Sequence, residues 1–396
     1  MSKGMEGGVS RRSFLKGAGV AAAAVAGSAA LAGCASGSTG AASGDWLPKS
    51  WDYECDLLVI GYGGAGMWAS LIGADECGQE VIVLEKAPVE GGGNSRINNG
   101  EWTIVEESDK ERFKKYIKAF THGKTPEPMI DAWVNECVRN TEYADKYGMT
   151  YEVAEKALAG TIPEYWFLDD GKYAGCIGVS NVEGFGMTTF HELEAKRAEL
   201  GLPIELKFAC TEEHLIQNPD TKEIVGVRFL EDGAEKTIKA RKGVVLCTGG
   251  FEFNEELKNT YLSIYPFKFE GWQYNTGDGI RMVEEVGAKL WHMNMVISTT
   301  AMWTRDPDYD FAIFASPQSD AFFTVNRLGK RYQNEAKTGG TAHNGWHTLM
   351  SFSDKIDDYD RIPSWQIFDQ KGIDGGPMGT QQGLSLIHIS EPTRPY

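Results

Sequence analysis

Six residues near the amino end have the types and spacing of a phosphate-binding turn. The run Gly61-Tyr62-Gly63-Gly64-Ala65-Gly66 follows an apolar stretch, Leu57–Ile60, and precedes a segment of small residues. A second apolar stretch, residues 81–84, ends at Glu85, nineteen residues after Gly66. In this order Gly61 allows a tight turn, Gly63 lets the backbone approach a pyrophosphate, Gly66 permits close helix packing, and Glu85 accepts ribose hydrogen bonds. The pattern predicts a βαβ unit that binds a dinucleotide.

The elements around this unit predict an α/β fold. We expect a Rossmann-like domain over residues 46–290 that contains an antiparallel meander, and an inserted α+β cap domain over residues 291–383. The predicted elements are helices at Asp109–Phe120, Pro128–Tyr147, Thr188–Leu200, from Glu255 and from 276–279, and strands at 203–209, 213–217, 223–230, 235–240 and 243–247.

Residues 1–45 have the pattern of an export signal. Ser10-Arg11-Arg12-Ser13-Phe14-Leu15-Lys16 matches the twin-arginine pattern, and an Ala/Gly-rich apolar stretch follows. That stretch ends at Leu31-Ala32-Gly33-Cys34, which resembles a lipobox with Cys34 as the lipidated residue. A plain signal peptide with a chance cysteine is the alternative. We expect an exported lipoprotein anchored to the membrane of the cell envelope.

The last residues of the sequence look foreign to the fold. Residues 384–396, beginning Leu384-Ser385-Leu386-Ile387-His388, resemble the translation of a sequencing adapter. We therefore expect the natural chain to continue beyond Gly383, so that the sequence is a fragment with an incomplete cap domain.

The composition narrows the class of partner. The net charge is −17, and no Lys/Arg cluster opposes it, which argues against nucleic acid. The seven cysteines show no CxxC pair, no metal-like spacing and no heme signature, so no metal site is expected. Electrons must therefore pass to or from an external donor or acceptor, either a protein or a quinone-linked carrier.

Six motifs in order resemble one flavoprotein family, which includes soluble fumarate reductases and 3-ketosteroid dehydrogenases. The motifs are Gly61–Gly66, Glu85-Lys86, Gly92-Gly93-Asn94-Ser95, Cys247-Thr248-Gly249-Gly250-Phe251, Thr276–Gly279, and the run from Val325 to Glu335. The resemblance implies a noncovalent FAD whose flavin ring lies between the FAD-binding and cap domains.

The resemblance also implies which positions contact FAD. For Asp278, a helix cap is the alternative to direct contact. Ala209 marks the region expected near the adenine. The predicted cofactor-binding residues are Gly61, Gly63, Gly64, Ala65, Gly66, Glu85, Lys86, Gly93, Asn94, Ser95, Asn99, Gly100, Ala209, Thr248, Gly249, Gly250 and Asp278.

The substrate signals are weaker than the cofactor signals. Soluble fumarate reductases carry a His-Pro-Thr stretch after the fifth motif and an Arg after the sixth, and both are absent here, which disfavours fumarate. The ketosteroid branch carries a Tyr where this chain has Thr338-Gly339. Arg331 and Glu335, four residues apart, are the candidate catalytic pair for proton relay, with a structural salt bridge as the alternative.

The chain is therefore predicted to be an FAD-dependent oxidoreductase that adds or removes hydrogen across a C=C bond conjugated to a carbonyl. Its small-molecule substrate is expected to be an enone, a ketosteroid-like compound or an enoate. The alternative is a flavin-bearing electron-transfer lipoprotein without its own substrate. A nicotinamide dehydrogenase is disfavoured by the motifs at 92–95 and 276–279.

Overall fold

A six-stranded sheet is the largest sheet in the described part of the chain. The computed structural model describes residues 46–98, 100–121, 123–153, 177–179, 185–296, 301–303, 312–314, 321–335 and 348–374. The chain divides into Met1–Pro48 and Lys49–Tyr396, and of the first unit only residues 46–48 are described. The signal, Cys34, Asn99 and the terminal segment 384–396 therefore lie outside the described residues.

The described residues up to Glu285 contain the large sheet and the helices that cover it. A short 3₁₀ helix at Glu107–Asp109 precedes the helix at Lys110–Phe120. In chain order the elements are β1 (Tyr53–Ile60), α1 (Gly64–Asp75), β2 (Val81–Leu84), α2 (Gly93–Ile97), β3 (Glu101–Thr103), α3 (Lys110–Phe120), α4 (Glu127–Cys137), α5 (Asn140–Lys146), β4 (Glu152–Val153), β5 (Ile177–Val179), α6 (Phe185–Leu200), β6 (Ile204–Lys207), β7 (Cys210–Gln217), β8 (Ile224–Glu231), β9 (Ala234–Leu246), α7 (Glu255–Tyr261) and α8 (Asp278–Glu285).

The carboxyl-terminal described segments form small antiparallel pairs. The strand at Ala301–Trp303 pairs with the one at Ala312–Phe314, Phe322–Val325 pairs with Trp365–Phe368, and Phe352–Ser353 pairs with Asp358–Tyr359. The elements are β10 (Ala301–Trp303), β11 (Ala312–Phe314), β12 (Phe322–Val325), β13 (Phe352–Ser353), β14 (Asp358–Tyr359), β15 (Trp365–Phe368) and α9 (Gln370–Asp374).

The large sheet has the order β6-β2-β1-β9-β8-β7. Strands β6, β2, β1 and β9 are parallel, and β9, β8 and β7 form the antiparallel meander. The apolar runs pair in register, from Leu57 with Val81 to Ile60 with Leu84. Such strands are apolar along their length because both faces of a parallel sheet are covered. Leu58 packs into the core on one face, and Val59 packs into the core on the other.

One strand replaces two that the sequence analysis separated. Residues 235–240 and 243–247 were expected as distinct strands, whereas β9 continues through both. Residues 234–239 of β9 pair with β8, and residues 238–246 pair with β1, across a bulge at which Arg241 and Lys242 lie opposite Asp56. Arg241 lies at this bulge and its Nε donates to Asp56 at 2.9 Å. The bulge accommodates the extra residue of β9, so the strand continues without a turn.

A second difference concerns the predicted helix 128–147, which is two helices, α4 and α5. The two pack into different cores. Ile130 and Val134 of α4 pack with α3, whereas Tyr143 and Ala144 of α5 are buried near the large sheet. A single straight helix could not bury both faces, so the chain turns at Arg139.

Candidate functional site

The first functional segment is the turn between β1 and α1. Gly61 has φ +94°, which favours glycine, and a Cβ there would overlap the carbonyl oxygen of Cys247. A Cβ at Gly66 would overlap the carbonyl oxygen of Gly61. Packing within the protein therefore requires these two glycines, as predicted for the turn and for the close approach of the helix.

Gly63 differs from these two glycines. Its backbone is extended, with φ −81° and ψ −170°, a conformation that any residue adopts. A Cβ there would lie 3.5 Å from its nearest neighbour, the Gly92 oxygen, which is an ordinary van der Waals distance. Nothing in the protein's own packing excludes a side chain at Gly63, so the space beside its backbone is available to a ligand.

Helix α1 begins beside that space without a capping side chain. Its cap residue is Gly63, no side chain accepts from its first turn, and the first turn carries no acidic residue. The first N–H groups of a helix have no intrahelical acceptor, and they carry a partial positive charge. This end of α1 is therefore suited to phosphate.

The second glycine-rich segment lies directly against the first. Gly92 N donates to Tyr62 O at 2.7 Å, and Gly63 and Gly92 form an isolated bridge. Helix α2 then begins at Gly93, and Gly93, Asn94 and Ser95 line the same cleft as the α1 turn. The predicted contacts Gly63 to Ala65 and Gly93 to Ser95 are thus brought together.

Glu85 is held at the end of β2 by the backbone. It is buried, 8 % exposed, and its two carboxylate oxygens accept from Tyr62 N and Ala87 N, each at 2.7 Å. Burial raises the pKa of this carboxyl, against those hydrogen bonds. Each carboxylate oxygen can accept a further bond, so Glu85 stays able to accept from a ribose hydroxyl.

Lys86 and Asp278 form an ion pair on the cleft wall. The Lys86 Nζ to Asp278 Oδ2 distance is 2.8 Å, and Lys86 Nζ also donates to Thr276 Oγ1. Asp278 is the first residue of α8, with Gly277 as the cap. Its side chain makes no cap, and it lines the cleft. The capping alternative is therefore not what the structure shows.

The end of β9 supplies the remaining predicted residues of the cleft. Thr248 and Gly249 line it, whereas Gly250 does not. Gly100 and Ala209 also lie outside its lining, and Ala209 N donates to Ala87 O at 3.1 Å near Glu85. The cleft has a volume of about 290 Å³ and is lined by Ile60, Gly61, Tyr62, Gly63, Gly64, Ala65, Leu84, Glu85, Lys86, Gly93, Asn94, Ser95, Glu213, Leu246, Cys247, Thr248, Gly249, Trp272, Tyr274, Asn275 and Asp278.

Two acidic residues at the cleft escaped the sequence analysis. Glu252 Oε1 accepts from Asn94 Nδ2 and from Asn275 Nδ2, each at 2.7 Å, which ties the two cleft walls together. Glu213 on β7 is 3 % exposed and lines the cleft. The signal for Glu252 was its place directly after Gly249-Gly250-Phe251. No simple alternation marks Glu213, because β7 is irregular between Thr211 and His214.

The candidate catalytic pair does not reach this cleft. Arg331 and Glu335 form an ion pair, and the second carboxylate oxygen of Glu335 accepts from Thr324 N at 2.6 Å. Glu335 is buried and Arg331 is 57 % exposed on its side chain. Both carboxylate oxygens are thus used in holding β12, as in the salt-bridge alternative, and the catalytic role of the pair stays a prediction.

Glu335→Ala is expected to lower the free energy of unfolding by about 2 kcal/mol, because it leaves the buried Thr324 N–H without its acceptor. Chemical denaturation of the variant and the parent protein measures this. Arg331→Met is the matched comparison and is expected to cost less than Glu335→Ala, because the Thr324 N–H keeps its acceptor although the buried Glu335 carboxylate loses its cation. A stable Glu335→Ala protein that has lost its activity would instead support the catalytic role.

The cleft has the donors and the shape that a dinucleotide needs. It combines uncapped helix N–H groups, a glycine open to a ligand, and a buried acid at the end of the neighbouring parallel strand. Because parallel strands end at one edge of the sheet, Gly61, Glu85 and Cys247 lie together there. Among the described residues, no cluster of three or more metal-ligating side chains occurs. In the same part of the chain no helix is long and apolar enough to span a bilayer.

Comparison with known proteins agrees with this site. Residues 56–353 match the FAD binding domain family, and residues 8–28 match the TAT (twin-arginine translocation) pathway signal sequence. The chain is therefore exported by the twin-arginine route.

Two curated relatives and one solved structure illustrate the similarity. The chain is 30 % identical to the digoxin reductase of Eggerthella lenta, covering 86 % of this chain and 67 % of the relative. It is 24 % identical to the 3-oxosteroid 1-dehydrogenase of Mycolicibacterium smegmatis, covering 80 % and 68 %. The 3-ketosteroid delta1-dehydrogenase of Sterolibacterium denitrificans, solved with 1,4-androstadiene-3,17-dione, has the same fold, with a TM-score of 0.64 at 20 % identity over 83 % of this chain and 71 % of that one.

The predicted fold class, a Rossmann-like α/β domain with a meander and a cap, is confirmed, and so is FAD as the cofactor. The glycine turn, the buried acid and the matched segment from residue 56 to residue 353 lead to one assignment. This chain belongs to the FAD binding domain family and is an FAD-dependent oxidoreductase acting on CH–CH groups.

Proposed function

We propose that this enzyme adds or removes hydrogen across a C=C bond conjugated to a carbonyl in a steroid-like substrate or another enone or enoate. The observation that carries the substrate class is the similarity to digoxin reductase and to 3-oxosteroid 1-dehydrogenase, over at least 80 % of this chain in each case. The missing His-Pro-Thr stretch and the missing Arg in the sequence support the choice against fumarate.

The roles of the cleft residues follow from their positions. We place the pyrophosphate of FAD at the start of α1, beside Gly63, Gly64 and Ala65, and the ribose at Glu85. The loop at Asn94 and Ser95 and the segment at Thr248 and Gly249 lie on the flavin side. The predicted boundaries, an FAD-binding domain over 46–290 and a cap over 291–383, belong to this proposal. When bound, FAD supplies hydride transfer, which the residues around it orient.

The aromatic wall of the cleft fits a flat apolar substrate. The rings of Trp272 and Tyr274 lie 5.8 Å apart at an interplanar angle of 52°, and both residues line the cleft. Aromatic faces bury large areas of a fused-ring compound.

The substrate class is tested with purified protein reconstituted with FAD. Under anaerobic conditions a reduced viologen is the electron donor. We expect the enzyme to reduce the C=C bond of a 3-keto-Δ4 steroid or of a simple enone, and not to reduce fumarate. Products are identified by mass spectrometry, and the reverse reaction is followed with a dye acceptor. Protein without flavin is the background control.

Turnover of fumarate, or of none of these compounds, would contradict the proposed substrate class. A protein that holds FAD and exchanges electrons with dyes, yet turns over no compound, would support the second candidate, the flavin-bearing electron-transfer lipoprotein. In either case the external donor or acceptor, a protein or a quinone-linked carrier, is a separate partner that the same dye assays replace.

We also propose that Cys34 carries a lipid after export. The support is the lipobox-like Leu31-Ala32-Gly33-Cys34 at the end of the signal. Cys34→Ser is expected to abolish incorporation of an alkyne-labelled fatty acid and to release the protein from membranes, since the anchor is lost. The measurement is gel fluorescence after labelling in cells, with Cys77→Ser as the control. Labelling that persists in Cys34→Ser would exclude this anchor.

A further inference from the structure

Glu213 is an acid that the proposed function leaves unexplained. It lies on β7, only 3 % exposed, and its side chain lines the cleft together with Glu85 and Asp278. Acidic residues are almost never fully buried unless they are paired. A buried acid on the wall of a ligand cleft therefore needs a partner.

The protein itself provides almost no hydrogen-bond partner for the Glu213 carboxyl. In the described part of the chain, the Glu213 carboxyl accepts a hydrogen bond only from its own backbone N–H. Arg281 donates to the Glu213 carbonyl oxygen at 2.9 Å and not to the carboxyl. Burial, with a smaller contribution from Asp278, raises the pKa of Glu213 to about 7, although Lys86 and Arg281 act in the opposite direction. The carboxyl is therefore a neutral acid over part of the physiological range, with one donor and one acceptor.

The order of groups along the cleft indicates what faces Glu213. In a βαβ unit the phosphates lie at the helix start and the ribose at the acid that ends the next strand, so the base lies beyond that acid. Here β7 begins beside Glu85, because Cys210 N donates to Glu85 O at 3.0 Å. Glu213 follows three residues later. The base end of a dinucleotide placed on Gly63 and Glu85 thus meets Glu213.

We propose that Glu213 recognises the adenine ring of FAD as a neutral carboxylic acid, donating to a ring nitrogen and accepting from the 6-amino group. The inference rests on the proposed placement of FAD in this cleft. A donor and an acceptor side by side on a planar group match the edge of adenine, in the way that Asn and Gln amides do. Glu213 is accordingly a specificity residue for the adenosine half of the cofactor.

This assignment has a definite pH dependence. The acid form binds adenine, so FAD affinity is highest below the pKa of Glu213 and falls as the pH rises through it. With a pKa of about 7, the neutral fraction falls about tenfold from pH 6 to pH 8, and the Kd for FAD rises by up to about tenfold. Among the described residues, the other ionisable groups that line the cleft are Glu85, Lys86 and Asp278, and Arg281 lies beside Glu213 through its bond to the Glu213 carbonyl oxygen.

Three proteins test the proposal by titration of flavin-free enzyme with FAD at pH 6 and pH 8, followed by flavin fluorescence. The parent is expected to show the tenfold change. Glu213→Gln keeps a donor and an acceptor but does not titrate, so its Kd stays within about threefold of the pH 6 parent value at both pH values. Glu213→Leu is expected to bind FAD about tenfold more weakly than the parent does at pH 6, and its Kd is expected not to change with pH.

Glu212→Gln is the matched control, because Glu212 is the exposed neighbour on the same strand, and it is expected to behave as the parent. A flavin dinucleotide carrying purine without the 6-amino group separates adenine from ribose as the partner. It is expected to bind the parent about tenfold more weakly than FAD does, and to bind Glu213→Leu with little difference from FAD.

Equal binding of FAD and the purine analogue by the parent would overturn the proposal and assign Glu213 to the ribose. A Glu213→Gln protein with the parent's pH dependence would overturn it too, and would assign the titration to another group such as Glu85. Failure of the parent to bind FAD would instead overturn the placement of FAD itself. If the Kd for FAD is the same in the parent and in all Glu213 variants, only this inference is overturned.

Discussion

Gly63→Ala is expected to leave the protein folded and to weaken FAD binding by about 100-fold, or about 2.7 kcal/mol. The backbone at Gly63 is extended, and a Cβ there has 3.5 Å to its nearest protein neighbour, so alanine fits the protein. The same Cβ occupies the space through which the backbone approaches the pyrophosphate. Isothermal titration with FAD measures the affinity, and thermal unfolding without FAD measures the fold.

Two further glycines serve as controls for this prediction. Gly66→Ala places a Cβ onto the Gly61 carbonyl oxygen, so it is expected to destabilise the flavin-free protein itself by about 3 kcal/mol or more. Gly243→Ala has nothing within 4 Å and is expected to change neither quantity. If Gly63→Ala unfolds as Gly66→Ala does, or binds FAD as the parent does, then the role assigned to Gly63 is wrong.

Glu213→Gln is expected to stabilise the protein at pH 8 by about 3 kcal/mol and to have little effect at pH 5. In the folded protein Glu213 has a pKa of about 7, whereas in the unfolded chain it returns to the value of an ordinary glutamate, 4.5. The folded state therefore holds its proton more tightly. Stability from this group is fully present below pH 4.5, and it is lost as the pH rises to 7.

Urea unfolding of the flavin-free protein at pH 5, 6, 7 and 8 measures the difference between variant and parent. The difference is expected to grow from pH 5 to pH 7 and then to level off. Glu212→Gln provides the comparison and is expected to follow the parent, since its side chain is exposed. A difference that is constant with pH would show that Glu213 carries its charge in the fold at an ordinary pKa.

The local sequence pattern was sufficient to predict the βαβ unit that forms the cofactor cleft. The apolar runs of β1 and β2, the glycines between β1 and α1, and Glu85 each act over a short stretch of chain, where spacing translates directly into geometry. For the same reason the meander and the helix that begins near Asp278 were visible as alternation and turn residues. The family resemblance extended this to FAD and to the reaction class, and the export signal needed no fold at all.

The tertiary structure decided what depends on contacts between distant segments. The continuity of β9 depends on a bulge where it pairs with β1, and Glu213 lies at an irregularity in the pairing of β7 with β8. Neither feature is encoded in a single segment. The sequence allowed Asp278 to be either a helix cap or a cleft residue. The structure places it beside Lys86, 192 positions away, on the cleft wall. Glu252 gained its role only when Asn94 and Asn275 met across the cleft. For Arg331 and Glu335 the spacing suggested chemistry, and the structure adds that Glu335 accepts from Thr324 N on β12, so the catalytic role of the pair stays a prediction. Sequence spacing determines which groups can come together within one element, and only packing decides which of them face a ligand and which face the protein.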